Sequence, residues 1–175
     1  CRLGELLSLR KEKIDPSITP FSKIQPISIH FDGSISKRVL DENREYSMDM
    51  YVAKPGDLVL SKIDLKHGAV SFVPEGWEAV AVTSHFAVYQ LDSSRMLPAF
   101  LHRLIQTDMF KSYLWSNKVG AEGRTEVKIN FFESIQIPLP PLAAQQSIVA
   151  QWQALQSQAE QAALTATQQE EKGRQ

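Results

Sequence analysis

Apolar residues along this chain change their spacing twice, and the changes mark three stretches. In the first they alternate over short runs bounded by turn formers. Ile24 to Ile29 alternates and meets Asp32-Gly33, after which Ser34-Ile35-Ser36 returns as a second strand, the pattern of a hairpin. Lys54-Pro55-Gly56-Asp57 is a turn by composition, and the β-rich run Leu58-Val59-Leu60-Ser61-Lys62-Ile63 behind it predicts a core strand. Ala69 to Val73 and Trp77 to Val82, separated by Pro74-Glu75-Gly76, and then Phe86 to Leu91, read as further strands.

At Pro98 the spacing becomes helical: Ala99, Phe100, Leu101, Leu104, Ile105, Met109, Phe110, Tyr113 and Leu114 predict one long helix or two short ones. The polar segment Ser116 to Lys128, with Gly120 and Gly123, reads as an exposed loop, and Asn130 is placed to cap one turn from Phe131 to Ser134.

The third stretch joins a short strand to a long helix through prolines. Ile135, Ile137 and Leu139 alternate as a half-buried strand, while Pro138, Pro140 and Pro141 remove backbone donors and keep their predecessors out of helical conformation. A helix can begin only after Pro141, and nothing breaks it before Gly173. Along it Ile148, Trp152, Leu155, Ala159, Ala162 and Ala166 recur at alternating four- and three-residue steps, a coiled-coil seam. Roughly 25 to 30 helical residues extend about 40 Å, longer than a domain of this size needs for its own core. A partner helix is expected to cover the seam, and the tail from Glu170 to fray.

The expected fold class is therefore α+β, a β-rich domain over 1–141 followed by a coiled-coil-forming helix over 142–172. At 175 residues, 43% of them hydrophobic, the chain is large enough for one domain with a substantial core. Its lone cysteine, Cys1, excludes an intramolecular disulfide and a thiolate metal cluster and fits a reducing cytoplasm. No run approaches membrane-spanning length, and the first residues do not resemble a signal peptide. Opening on Cys rather than Met reads as a fragment. The net charge of −1 argues against a nucleic-acid binder on bulk electrostatics. Distribution matters more, because Lys54, Lys62, Lys66, Lys111, Lys118, Arg124 and Lys128 fall in or beside expected loops and can form a local basic face.

Catalytic signatures are mostly absent. The phosphate loop, the dinucleotide glycine fingerprint and the nucleophile elbow are missing, and His30, His67, His85 and His102 are too dispersed for a compact metal motif. Glu126-Val127-Lys128 with Asp108 superficially matches a metal-dependent nuclease triad, but reads more simply as a solvated loop edge. Ser84-His85 is a poor nucleophile and base, because neighbours on a strand point to opposite faces. Trp77 and Trp115 read as core or rim packing, and Trp152 as a helix-helix anchor.

The proline clamp with its Gln145-Gln146-Ser147-Ile148-Val149 helix start, the run Gly56-Asp57-Leu58-Val59-Leu60-Ser61-Lys62-Ile63-Asp64, and the Gly120 to Arg124 loop together resemble one half of a specificity subunit of a type I restriction-modification enzyme. The resemblance runs from Leu3 through the long helix. It implies a target recognition domain reading half of a split sequence in double-stranded DNA, and a helix packing against a second recognition half or the same helix of another copy. Family members commonly carry an acidic and a basic residue around the glutamine pair, where this chain has Ala144 and Ser147.

On that reading the chain is noncatalytic and needs no cofactor. It docks a methyltransferase subunit, which binds the methyl donor, and through it a restriction and motor subunit. The expected DNA contacts are Lys62, Lys66, His67, Ser84, His85, Lys118, Arg124 and Lys128, with Lys62, Lys66 and Lys118 on phosphate and Arg124 able to reach guanine O6 and N7. The alternatives are a protein-assembly module with an oligomerising helix and no DNA role, and a standalone nuclease.

Overall fold

A computed structural model describes residues 1–39, 45–117 and 126–173. Contacts divide the chain into two units, Cys1–Leu139 and Pro140–Gln175. The first carries strands β1 (Leu7–Arg10), β2 (Ile27–Ile29), β3 (Ile35–Lys37), β4 (Met50–Ala53), β5 (Leu58–Ser61), β6 (Val70–Phe72), β7 (Val80–Thr83) and β8 (Phe86–Leu91), then helices α1 (Pro98–Gln106), α2 (Asp108–Ser116) and α3 (Ile129–Ser134). The second is α4 (Leu142–Gly173) with its proline lead-in. Among the described residues no helix is long and apolar enough to cross a membrane.

Strands β1-β8-β5-β6 form an antiparallel sheet, and β2–β3 and β4–β7 form two antiparallel ribbons. All four residues of β5 are buried, which is why its sequence is an unbroken apolar run closed by Ser61. Val59 faces its cross-strand partner Val88, and both join Ile27, Ala53, Val80 and Val82 in a core shared by the sheet and the two ribbons. On the other face Leu58 pairs with Tyr89, whose ring lies 6.0 Å from that of Phe132 on α3. The Tyr89 hydroxyl, taken wholly from water, donates to the Glu133 carboxylate at 3.0 Å, and burial pushes its pKa far above the ordinary value.

Lys54-Pro55-Gly56-Asp57 closes with Asp57 N–H donating to Lys54 C=O at 3.0 Å, and Gly56 sits at φ +81°, the left-handed third position of a type II turn. Buried Asp57 then accepts two bonds from Arg10, at 2.7 Å from Nε and 3.1 Å from Nη2, and one from the Lys54 amide at 2.8 Å. This fork ties β1 to the turn that starts β5.

Several sequence expectations change in detail. The first hairpin strand shrinks to Ile27–Ile29, because Phe21–Lys23 forms a single helical turn and Pro26 cannot donate to a ladder. Trp77 lies in a turn, its amide donating to Pro74 C=O, so the strand starts at Val80. The helical region is two helices, broken at Thr107, whose hydroxyl oxygen accepts the Phe110 amide as an N-cap. Asn130 lies inside α3, which begins at Ile129 after Lys128, so it is no cap. The alternating Ile135 and Ile137 are buried as expected, but the segment pairs only through an isolated Arg2–Gln136 bridge, with Ile135 C=O accepting Leu3 N–H and Ile137 N–H donating to Cys1 C=O. Pro138 stops the ladder there.

Candidate nucleic-acid interface

One end of the four-stranded sheet gathers several loops. Beyond the Ser61–Phe86 pair the ladder runs one bond further, Lys62 N–H donating to His85 C=O at 2.9 Å. The carbonyl of Lys62 accepts the Val127 amide at 2.8 Å, so 126–128 lies on the same strand end. The chain then folds through the helical turn Leu65–His67, held by Ser61 Oγ accepting the Asp64 amide and Asp64 C=O accepting the His67 amide. Gly68, at φ +102°, returns it to β6.

The tip of the β2–β3 hairpin joins this end from the side. His102 on α1 places Nε2 3.2 Å from both Gly33 C=O and Val70 C=O. Both acceptors are carbonyls, so Nε2 carries the hydrogen. Gln106 donates its side-chain amide to Gly68 C=O at 2.7 Å. A Cβ on Gly68 would strike the carbonyl of Phe31, so glycine is what lets the two turns close on each other. The Phe31 ring stacks on His67, with centroids 5.1 Å apart and planes at 26°, and His67 meets Trp115 edge-on at 5.0 Å.

Of the residues singled out from sequence, Lys62, Lys66, His67, Ser84, His85 and Lys128 therefore share one end of the first unit. Ser84 and His85 are exposed in a two-residue connection between β7 and β8, which belong to different sheets. They are not strand neighbours. His85 also lines a cavity of about 350 Å³ together with Ile29, Met48, Met50 and Val82. Lys128 is exposed, its ammonium 4.0 Å from Glu126. That loose pair fits a solvated edge.

Lys66 departs from the phosphate role expected of it. It is 6% exposed, its ammonium donates to Ile63 C=O at 2.7 Å, and it lies 5.6 Å from the Trp115 ring centre. An ammonium held this way braces the turn. Lys118 and Arg124 lie outside the described residues, as does the whole Gly120 to Arg124 loop.

Phe31, His102 and Gln106 escaped the sequence reading as site residues. Phe31 offered one signal, an aromatic directly before Asp-Gly where turns favour polar residues. Acidic groups near this end are engaged locally. Asp32 accepts from the Ser34 hydroxyl and amide, which hold its carboxyl below the usual range, and Asp64 faces Ser61. Burial holds His102 below its ordinary value, against the opposing pull of its two carbonyl acceptors. Among the described residues no group of three or more His, Cys, Asp or Glu could hold a metal ion.

In the second unit the Pro141 carbonyl accepts the amides of Ala144 and Gln145, at 2.9 and 3.0 Å, and thereby opens α4. Buried Gln145 reaches back to donate to Pro140 C=O at 2.8 Å, a second tie on the helix start. Ile148 and Leu155 are 47% and 63% exposed, Trp152 is half-buried, and every side chain over 153–169 is exposed, Ala159, Ala162 and Ala166 among them. Leu164, also exposed, falls off the seam.

This chain belongs to the type I restriction modification DNA specificity domain family, whose model matches residues 2–170. It is similar in fold to the HsdS subunit from Thermoanaerobacter tengcongensis, with a TM-score of 0.70 and 22% identity over 93% of this chain and 42% of that one. A chain from a structural study of complex assembly and conformational transition of the type I R-M system gives a TM-score of 0.72 at 23% identity, covering 93% and 43%. The S subunit of a type I restriction-modification system from M. genitalium gives 0.55 at 12%, covering 91% and 39%. The chain thus spans less than half of each of these proteins. No curated protein matches it.

Proposed function

We propose that this chain is a noncatalytic DNA sequence-recognition module of a type I restriction-modification complex, directing methylation and restriction to a split target. The stretch 1–141 acts as the target recognition domain, and the helix over 142–172 as the spacer. The observation that carries the reading is the convergence of Lys62, His85 and the 126–128 segment through two backbone hydrogen bonds at one sheet end, beside exposed Lys128 and the Phe31–His67 stack. Such an end offers cations for phosphate, imidazoles for polar contacts and a rigid mount, which is what base reading requires. Lys62 and Lys128 take the backbone, and Ser84, His85 and His67 lie nearest the bases.

The helix supports the second half of the reading. A 32-residue helix is about 48 Å long, and helices in proteins draw most of their stability from packing an apolar face. Exposed Ile148 and Leu155, followed by alanines that allow close approach, suit a partner helix from a second recognition half or another copy. The rod between two readers then sets the gap between half-sites. Methyl transfer and cleavage belong to the methyltransferase and motor subunits that this module orients.

The deciding experiment co-expresses the chain with a type I methyltransferase subunit and maps methylated positions in host DNA. A split, sequence-specific pattern that disappears with the chain is the expected result. Methylation that is unchanged without it would sink the proposal.

A further inference from the structure

A phenyl ring is an odd occupant for a hairpin tip. Phe31 stands directly before the Asp32-Gly33 turn, where polar residues serve the backbone better, and it is 57% exposed. One ring face is nonetheless engaged by His67, which in turn abuts Trp115. The hairpin tip is tied through His102 to Gly33, and the turn that carries His67 is tied through Gln106 to Gly68. An exposed apolar group is thus held at a set height above the loops of Lys62 and His67, in the manner of a preorganised contact.

The stack limits what the ring can do. Wedging between base pairs would need both faces, and one is occupied. An edge and an outer face remain, and the apolar group that base pairs present in the major groove is the thymine C5-methyl. Resting on the reading of this sheet end as a DNA interface, we infer that Phe31 is a specificity-determining residue that reads one thymine methyl, with His67, His102 and Gln106 as its positioning residues.

The test uses the complex with its methyltransferase. The target is first mapped with the unaltered protein, and a failure to find any sequence pattern overturns the interface reading and this inference together. With the target known, each thymine in the duplex is replaced singly by uracil, which removes only the methyl. One replacement is expected to weaken binding about four-fold, the worth of one buried methyl group. Phe31→Ala should bind the thymine and uracil duplexes equally, while Phe31→Leu, apolar but unable to stack on His67, keeps part of the difference. His67→Ala should shrink the thymine-to-uracil ratio without abolishing binding. A mapped target at which Phe31→Ala retains the full ratio, or at which no thymine methyl matters, overturns the inference and leaves the interface reading standing.

Discussion

The amide of Lys62 donates to the carbonyl of His85 at 2.9 Å, one residue past the last regular pair of β5 and β8. The two were 23 positions apart in the chain, and a ladder bond makes them neighbours on one rim. Their side chains are free of that bond, since only backbone atoms make it. Lys62→Ala should therefore keep the fold while lowering DNA affinity about equally for all sequences and flattening the logarithmic salt dependence by about one unit. Fluorescence anisotropy over a salt series measures both, and an unchanged slope would remove Lys62 from the phosphate contacts.

Arg10 and Asp57 form a fork with side chains only 15% and 5% exposed. The bond to Asp57 is the main cause that raises the Arg10 pKa, with burial opposing it. Asp57→Ala leaves that guanidinium only its 3.5 Å pair with Glu12 and frees the Lys54 amide, so the expected loss is about 2 kcal/mol of unfolding free energy. Urea denaturation reads it directly. A loss below the level of an ordinary surface substitution would show the fork to be dispensable.

Acid should loosen the hairpin tip. The unfolded chain protonates His102 near the ordinary 6.5, while the folded ring, held lower by burial, resists. Stability from this group is present above about 6.5 and is lost as the pH falls through the folded value. His102→Gln, which keeps an N–H donor but does not titrate, should flatten this part of the profile. Unfolding curves at pH 7.5 and 5.5 for both proteins decide it, and parallel losses in the two would assign the acid sensitivity elsewhere.

Leu155 stands 63% exposed in the middle of α4. A charge there should disrupt association while sparing the β-rich unit. Leu155→Glu is expected to shift sedimentation toward the smaller species, with the unfolding midpoint of the first unit within ordinary error. Unaltered association would move the interface off this seam.

Much of the architecture was readable from residue order. Phe86 to Leu91 reads as a strand and is one with those bounds, Pro55-Gly56 demands its turn, and Pro141 leaves α4 one place to begin. These are local effects of side-chain branching, fixed φ and missing donors. Trp77 misled because an aromatic beside a β-rich run satisfies strand propensity equally well from a turn. Lys66 misled because a lysine in a loop is ordinarily solvated, and only packing against Trp115 and the Ile63 carbonyl draws this one inward.

Residue order by itself determined which elements form, where prolines stop them, and the four- and three-residue apolar spacing along the last helix. Tertiary structure alone decided which loops share an end. The pairing of β5 with β8 and the reach of His102 across to Gly33 are long-range contacts, selected by how whole faces fill one core, and no short window of sequence contains that information.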